Sequence, residues 1–294
     1  MNNYYDQAVS RNLGLVTAEE QQRLKNSRVA VAGLGGLGGV NLLTLVRMGI
    51  GAFNIADLDE FSEVNTNRQV GATSSNVGRK KTDVMAEMAR DIHPLIELNV
   101  FDRGVQPDNI YEFLEGVDVV VDSIDFFQMK VRRLLYKTAR ELKIPVVFSA
   151  PLGFSGTLHI FTPEAMSFDC YFDIHDKMSN YEQLVAFAVG LCPRGTHRKY
   201  MDSSKVDLST QSGPSLSSAC NIASGLLTSE VLCLLLNRGD RVVKAVPHYT
   251  QFDPYRNIYR KGRLLFGNRG PLQMLKRWIV ARRFNSQAKA VNNY

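Results

Sequence analysis

Arg28-Val29-Ala30-Val31-Ala32-Gly33-Leu34-Gly35-Gly36-Leu37-Gly38 is a short, β-branched apolar run that meets a glycine cluster without a gap. Such runs fill strands buried on both faces of a parallel sheet. Gly33, Gly35 and Gly38 fit GxGxxG between a strand and a helix, where glycine permits a tight turn and lets backbone N–H groups at a helix N-terminus face phosphate. Leu42, Leu43, Leu45, Val46 and Met48 then supply a helical apolar face that stops at Gly49 and Gly51, and Ala52 to Asp57 reads as the next strand. Asp57 falls 24 residues after Gly33, where a carboxylate accepts ribose hydroxyl hydrogen bonds. The order strand, glycine loop, helix, acid is the fingerprint of a Rossmann nucleotide site. It leaves the nucleotide open, and a glycine turn that only packs a helix on a sheet is the plainer alternative.

Outward from this unit the same alternation continues. Arg79 to Ile92 reads as helix, Ile96 to Phe101 as extended, Val117 to Asp122 as a buried strand, Gln128 to Leu142 as helix and Ile144 to Ser149 as a strand. Strands alternating with helices predict an α/β fold, a Rossmann-like doubly wound sheet whose N-terminal half is parallel. Gly156 to Thr162 alternates as an antiparallel strand does, Pro214 to Leu236 reads as a long apolar helix and Val246 to Phe252 as a late strand, so antiparallel strands continue the sheet in the C-terminal half. Between them Pro163 to Ser212 shows weak regularity, the mark of a functional or mobile connection. Phe168, Tyr171, Phe172, Tyr181 and Phe187 would there clamp a peptide, and Arg194, Arg198 and Lys199 would attract an acidic one. Before the first strand, Thr17 followed by Glu19 and Glu20 suits a capped helix. With no repeat and no linker composition, residues 1–294 read as a single domain: a helical lead-in (1–27), a nucleotide-binding half (28–150) and a substrate and crossover-loop half (151–294).

Composition excludes several classes. Hydrophobic residues make up 45% of 294 against 22% charged, enough for a sizeable core and too much for a disordered chain. A formal charge of +6 permits an anionic partner, but no nucleic-acid motif accompanies it. The four cysteines, Cys170, Cys192, Cys220 and Cys233, form no CxxC pair, which predicts a reducing compartment and no structural zinc. The first ten residues lack a basic-then-apolar signal and no stretch offers 18 uncharged apolar residues, so a cytoplasmic protein without a membrane span is expected. Leu272 to Arg283 mixes apolar and basic residues, either a partner or membrane surface or a packed terminal helix with a solvated basic face.

The segment after Asp57 bears on chemistry. Asp57 to Gln69 ends in Asn65-Thr66-Asn67-Arg68-Gln69, and a nicotinamide site has no need of a guanidinium aimed at phosphates here. When a carboxylate attacks the α-phosphate of ATP, negative charge builds on the phosphoryl oxygens and on departing pyrophosphate, and preplaced cations offset it. Arg68 and Lys81 are the candidates; Lys80-Lys81 as a solvated pair on a surface helix is the alternative for the second. Asp122-Ser123-Ile124-Asp125 puts two carboxylates at the carboxyl edge of the sheet, where open α/β folds place ligands. Asp125 is placed to reach a Mg²⁺ that bridges phosphates, and Asp122 to be held by backbone N–H groups; capping of the next helix would explain both more simply.

These residues together resemble the ThiF/MoeB/HesA-type adenylyltransferases, bacterial relatives of ubiquitin-activating enzymes, closely over Arg11 to Thr162. The resemblance implies a ribose-binding Asp57, with Asp59 counted among the nucleotide residues, phosphate contacts from Asn65 and Arg68, an ATP lysine at Lys81, a Mg²⁺ ligand at Asp125 and Gly36 against the nucleotide. It also implies a homodimer in which Arg11 reaches the partner's ATP. The implied function of this adenylation domain is ATP-dependent activation of a carboxylate, the C-terminus of a ubiquitin-like or sulfur-carrier protein or a peptide, as acyl-adenylate with release of pyrophosphate. Some relatives use a crossover-loop cysteine as a nucleophile, for which Cys192 and Cys170 are the candidates, whereas Cys220 and Cys233 read as core. The rival readings are an NAD-dependent oxidoreductase and a nucleotide-binding scaffold without activity.

Overall fold

A computed structural model describes residues 4–208, 210–285, 288 and 292. The lead-in forms α1 (Tyr4–Ala8) and α2 (Ala18–Lys25), and Thr17 and Glu20 cap α2 reciprocally. Then β1 (Arg28–Ala32), α3 (Gly38–Arg47), β2 (Ala52–Ala56), α4 (Lys81–Ile92), β3 (Glu97–Phe101), α5 (Ile110–Phe113), β4 (Val119–Asp122), α6 (Met129–Glu141) and β5 (Val146–Leu152) alternate. β6 (Ser155–Phe161), α7 (Phe168–Phe172), α8 (Asn180–Leu191), α9 (Ser217–Leu236), β7 (His248–Asp253), β8 (Ile258–Arg263) and α10 (Pro271–Arg283) follow. All eight strands join one sheet in the order β3-β2-β1-β4-β5-β6-β7-β8. The first five are parallel and the last three antiparallel, as the pattern of runs predicts.

Side-chain size sorts the two faces of the sheet. β1 turns Ala30 and Ala32 toward the layer that contains α6 and α8, and Val29 and Val31 toward the layer that contains α3 and α9. β4 divides likewise, Val120 to the first and Val119 and Val121 to the second. Helices on both faces explain why the strands read as continuous apolar runs. Among the described residues α9 is long and apolar enough to cross a membrane by length and composition, yet half of that span is buried in the protein, and it packs on β5, β6 and α3. It is the central helix of the second layer.

The segment Pro163 to Ser212 departs from expectation. It holds α7 and α8, and the aromatic residues expected to clamp a peptide belong to the core: Tyr171 and Phe172 are fully buried, and Phe168, Tyr181 and Phe187 nearly so. Local signals for both helices exist, since Ser167 caps α7 and Ser179 with Glu182 forms a capping box on α8. What hid α8 is that Asn180–Leu191 buries residues on every side, so the contrast between two faces that reveals an amphipathic helix is missing. α10 lies against it, the Tyr181 hydroxyl donating to Ala281 O at 2.7 Å. β8 went unread because, as the edge strand, it is exposed along most of its length.

Two glycines bring the exits of β1 and β4 together. Gly33 has φ +90°, and a Cβ there would stand 2.3 Å from Ser123 O; one on Gly38 would stand 1.8 Å from Gly33 O. Gly33→Ala is therefore expected to lower unfolding free energy by at least about 2 kcal/mol, through a disfavoured φ and a backbone collision. Gly225→Ala, on α9 with nothing within 4 Å of the new Cβ, is expected to raise it by about 0.5–1 kcal/mol. Urea denaturation of the two variants checks both signs.

Candidate active site

The order of the sheet reverses between β1 and β4, and in open α/β sheets the crevice at such a point takes the ligand. The glycine loop enters it from β1, leaving the N-terminus of α3 uncapped by any side chain. Asp57, at the end of β2, holds that loop: its Oδ2 accepts from Leu34 N–H at 2.6 Å and its Oδ1 from Asp59 N–H at 2.9 Å. Burial pushes its carboxyl pKa up while Lys81 opposes that shift. A carboxylate with two backbone donors retains acceptor capacity for a hydroxyl.

Lys81 is buried, 5% exposed, at the head of α4, and its Nζ reaches Asp59 Oδ2 at 2.9 Å. The solvated member of the pair is Lys80, bound to Asp102 at 2.7 Å. Asn65 has a local task, its Oδ1 accepting from Ser62 N–H at 3.1 Å to cap the 3-10 turn Glu63–Asn65. That turn fixes Arg68, whose N–H donates to Asn65 O at 3.0 Å. The Arg68 Nη1 donates to Val64 O and Asn67 Oδ1, each at 2.9 Å. Neither acceptor is charged, so these bonds give the guanidinium no counter-charge.

Across the crevice, Asp122 and Asp125 divide their tasks. Asp122 is wholly buried and accepts from Ile124 N–H at 3.0 Å, Arg132 Nε at 2.9 Å and the Tyr136 hydroxyl at 3.0 Å. Burial and the Asp122 charge hold the Tyr136 phenol well above its usual pKa, so it remains a donor. Arg132 spends its other N–H groups on the carbonyls of Ile124, Asp125 and Phe126, and its guanidinium lies over the Phe187 ring at 4.6 Å. Held in this way, the loop presents Asp125 at the surface, with Oδ1 accepting from Phe127 N–H at 2.9 Å.

A cavity of about 870 Å³ is lined by Gly36, Arg68, Ser123 and Asp125, by residues on the chain between Cys192 and Ser215 and by α10, whereas Asp57, Asp59, Asn65 and Lys81 do not line it. Cys220 is buried, as expected of a core residue, and it also lines the cavity, because it sits in the first turn of α9 with Sγ 3.1 Å from where a Gly36 Cβ would be. No α9 N-cap side chain bonds the N–H groups there, so the first turn of a second helix lies beside the glycine loop. Sequence reasoning missed this, since nothing local links Cys220 to Gly36. It missed Arg132 as well: in Arg132-Arg133 one guanidinium is buried on Asp122 and the other half-exposed on Asp169 and Asp176, and the doublet itself does not say which.

Other candidates fall differently. Cys192 lines the cavity but is buried, with His197 Nδ1 at 3.3 Å and Gln251 Nε2 at 2.9 Å. Burial pushes its thiol up to about 12 and the His197 imidazole down to about 4. The basic residues that follow Cys192 therefore do not yield a thiolate at neutral pH. Cys170 lies beside Arg269 at 3.1 Å and does not line the cavity. Nor does Arg11, exposed on the 3-10 turn Ser10–Asn12.

Comparison with known proteins agrees with this architecture. The chain is 38% identical over 133 residues to a tRNA threonylcarbamoyladenosine dehydratase of Escherichia coli (strain K12), covering 45% of this chain and 49% of that protein. It is 32% identical over 161 residues to a sulfur carrier protein adenylyltransferase of Thermus thermophilus, covering 55% and 58%. The chain thus spans about half the length of the curated relatives it matches. The crystal structure of the E. coli tRNA N6-threonylcarbamoyladenosine dehydratase superposes with a TM-score of 0.59 at 22% identity, covering 81% of this chain and 97% of that one, which shows the shared fold. The ThiF family model matches residues 9–268. With most of its length covered by that match, the chain belongs to the ThiF family.

Proposed function

We propose that the protein is an ATP-dependent adenylyltransferase that activates a carboxylate as acyl-adenylate. The observation that carries this reading is that an uncompensated cation, Arg68, and an exposed carboxylate, Asp125, open onto one cavity at the glycine loop. A carboxylate oxygen bonds to the α-phosphorus, the α–β bridging P–O bond breaks and pyrophosphate leaves with that electron pair. Arg68, Lys81 and the N–H groups at the head of α3 hold the phosphate oxygens, and Asp57 accepts from the ribose. Hydride transfer, the rival reading, has no use for Arg68 at this position. Among the described residues no three His, Cys, Asp or Glu side chains converge as ligands, but Mg²⁺ binds through one or two carboxylates plus phosphates and keeps its waters. An exposed Asp125 with one oxygen left to the cavity fits that need, and the ion would supply charge neutralisation for the phosphates. The substrate carboxylate belongs to a carrier-protein C-terminus or a peptide, and the four unpaired cysteines accord with a cytoplasmic setting. Arg11 supports a homodimer: it is exposed and makes no side-chain hydrogen bond or ion pair among the described residues, which leaves it free to enter a partner's site.

Three measurements test this. Asp125→Ala and Arg68→Ala are each expected to lower carboxylate-dependent pyrophosphate exchange by about 10²–10³-fold with unchanged circular dichroism, whereas Asp57→Ala weakens nucleotide binding more than turnover. Near-normal exchange in Asp125→Ala or Arg68→Ala would refute the assignment.

Mixing Arg11→Ala with Asp125→Ala subunits is expected to give more exchange than either variant alone. Full activity of Arg11→Ala in a monomer shown by ultracentrifugation would exclude the shared site.

Because its thiol is buried and protonated, Cys192 is expected to resist iodoacetamide at pH 8 in the folded protein and react once the chain is unfolded, as followed by peptide mass spectrometry. Exchange is expected to persist in Cys192→Ala.

A further inference from the structure

The cavity carries more positive charge than nucleotide chemistry uses. Arg194 and Arg198 line it from the segment after α8, and Lys276 lines it from α10. Neither arginine forms a side-chain hydrogen bond or ion pair among the described residues. The Lys276 Nζ is held only by neutral oxygens, Pro193 O at 2.7 Å and Gln273 Oε1 at 2.9 Å. Burial, and then the neighbouring charges of Arg194 and Arg198, push its pKa down. Among the described residues Asp125 is the single carboxylate on the cavity wall. Apolar side chains, among them Phe126, Phe148, Phe187, Leu208 and Val280, line the same cavity.

Arg194, Arg198 and Lys276, with Arg283 also on the cavity wall and bonded to the neutral Ser203 hydroxyl, have no carboxylate among them, and a ligand anion removes their mutual repulsion while forming charge-assisted hydrogen bonds. An open, repeated row of cations with exposed rings would suit a nucleic-acid strand. Here the cations gather in one part of a concave site, and Phe148 and Phe187 are 3% and 1% exposed, so the rings offer a floor and not a stacking ladder. We propose that the cavity takes a short acidic peptide segment, whose reacting carboxylate lies by Arg68 and Asp125, whose apolar residues rest on the aromatic floor, and whose second carboxylate is bound by Arg194, Arg198 and Lys276. The fate of the first carboxylate rests on the adenylation reading; the binding of the second does not.

The test uses the full chain and fluorescein-labelled hexapeptides with a free C-terminus: Glu-Glu-Gly-Val-Leu-Ala, its Gln-Gln and Lys-Lys counterparts, and hexauridylate as a phosphate-bearing control. By anisotropy in the presence of ATP, the Glu-Glu peptide is expected to bind at least about tenfold more tightly than the Gln-Gln peptide. In the Arg194→Glu/Arg198→Glu double variant the order is expected to invert in favour of the Lys-Lys peptide. Calorimetry with ATP alone, unchanged within about threefold, shows that the variant is folded, and Lys276→Gln is expected to reduce the preference by a smaller factor. Equal binding of the Glu-Glu and Gln-Gln peptides, no binding of any peptide, tighter binding of hexauridylate, or an unaltered preference in the double variant would each overturn the proposal. Pyrophosphate exchange is read separately. Charge-dependent peptide binding without exchange removes the adenylation reading and leaves the anion site standing, while exchange indifferent to the double variant does the reverse.

Discussion

A buried ion pair, Arg132 on Asp122, fixes the edge of the sheet on which the rest of the site is built. Removing two charges from water costs several kcal/mol per ion unless every remaining donor and acceptor finds a partner. This pair meets that condition through Tyr136, Ile124 N–H and three loop carbonyls. The same bonds that make the pair tolerable set the backbone of the loop, so the position of Asp125 follows from a requirement of burial. The loop then meets Gly33, the residue whose missing Cβ lets the two strand exits touch.

Much of this was legible in the sequence, and the reason is locality. Gly33 to Gly38, Asp57 and the run from Asn65 to Arg68 act through neighbours a few residues away or through strand ends that the alternation itself locates. Thr17 with Glu20 is local for the same reason. Where the partner is distant, the signal fails: Cys220 is buried as expected, but its place beside the glycine loop shows only once α9 is packed there, and Arg132 reads like Arg133 until one finds Asp122. α8 was missed on different grounds, because a helix buried on all sides erases the polarity contrast that betrays a helix. A connection with ordered, buried helices also differs in energy from a loose loop. Its backbone entropy is lost on folding, and a ligand therefore need not bear that cost at binding.

Asp57 and Asp125 show how one residue type is put to unlike uses by burial. Asp57 is largely enclosed and anchored by two backbone donors, whereas Asp125 stays at the surface with one. Lys81 completes the contrast. It is enclosed as Asp57 is, and it lies beside two carboxylates, Asp57 and Asp59, so these partners and an incoming phosphate compete for the same Nζ.

β8 closes the sheet with one side unpaired among the described strands, and such a rim is a template on which any extended chain can add itself. Along its length this strand carries Arg260, Lys261 and Arg263. A copy of the same strand added parallel and in register would bring like charges together at three of its six positions, so polymerisation through this rim is opposed at its nucleus.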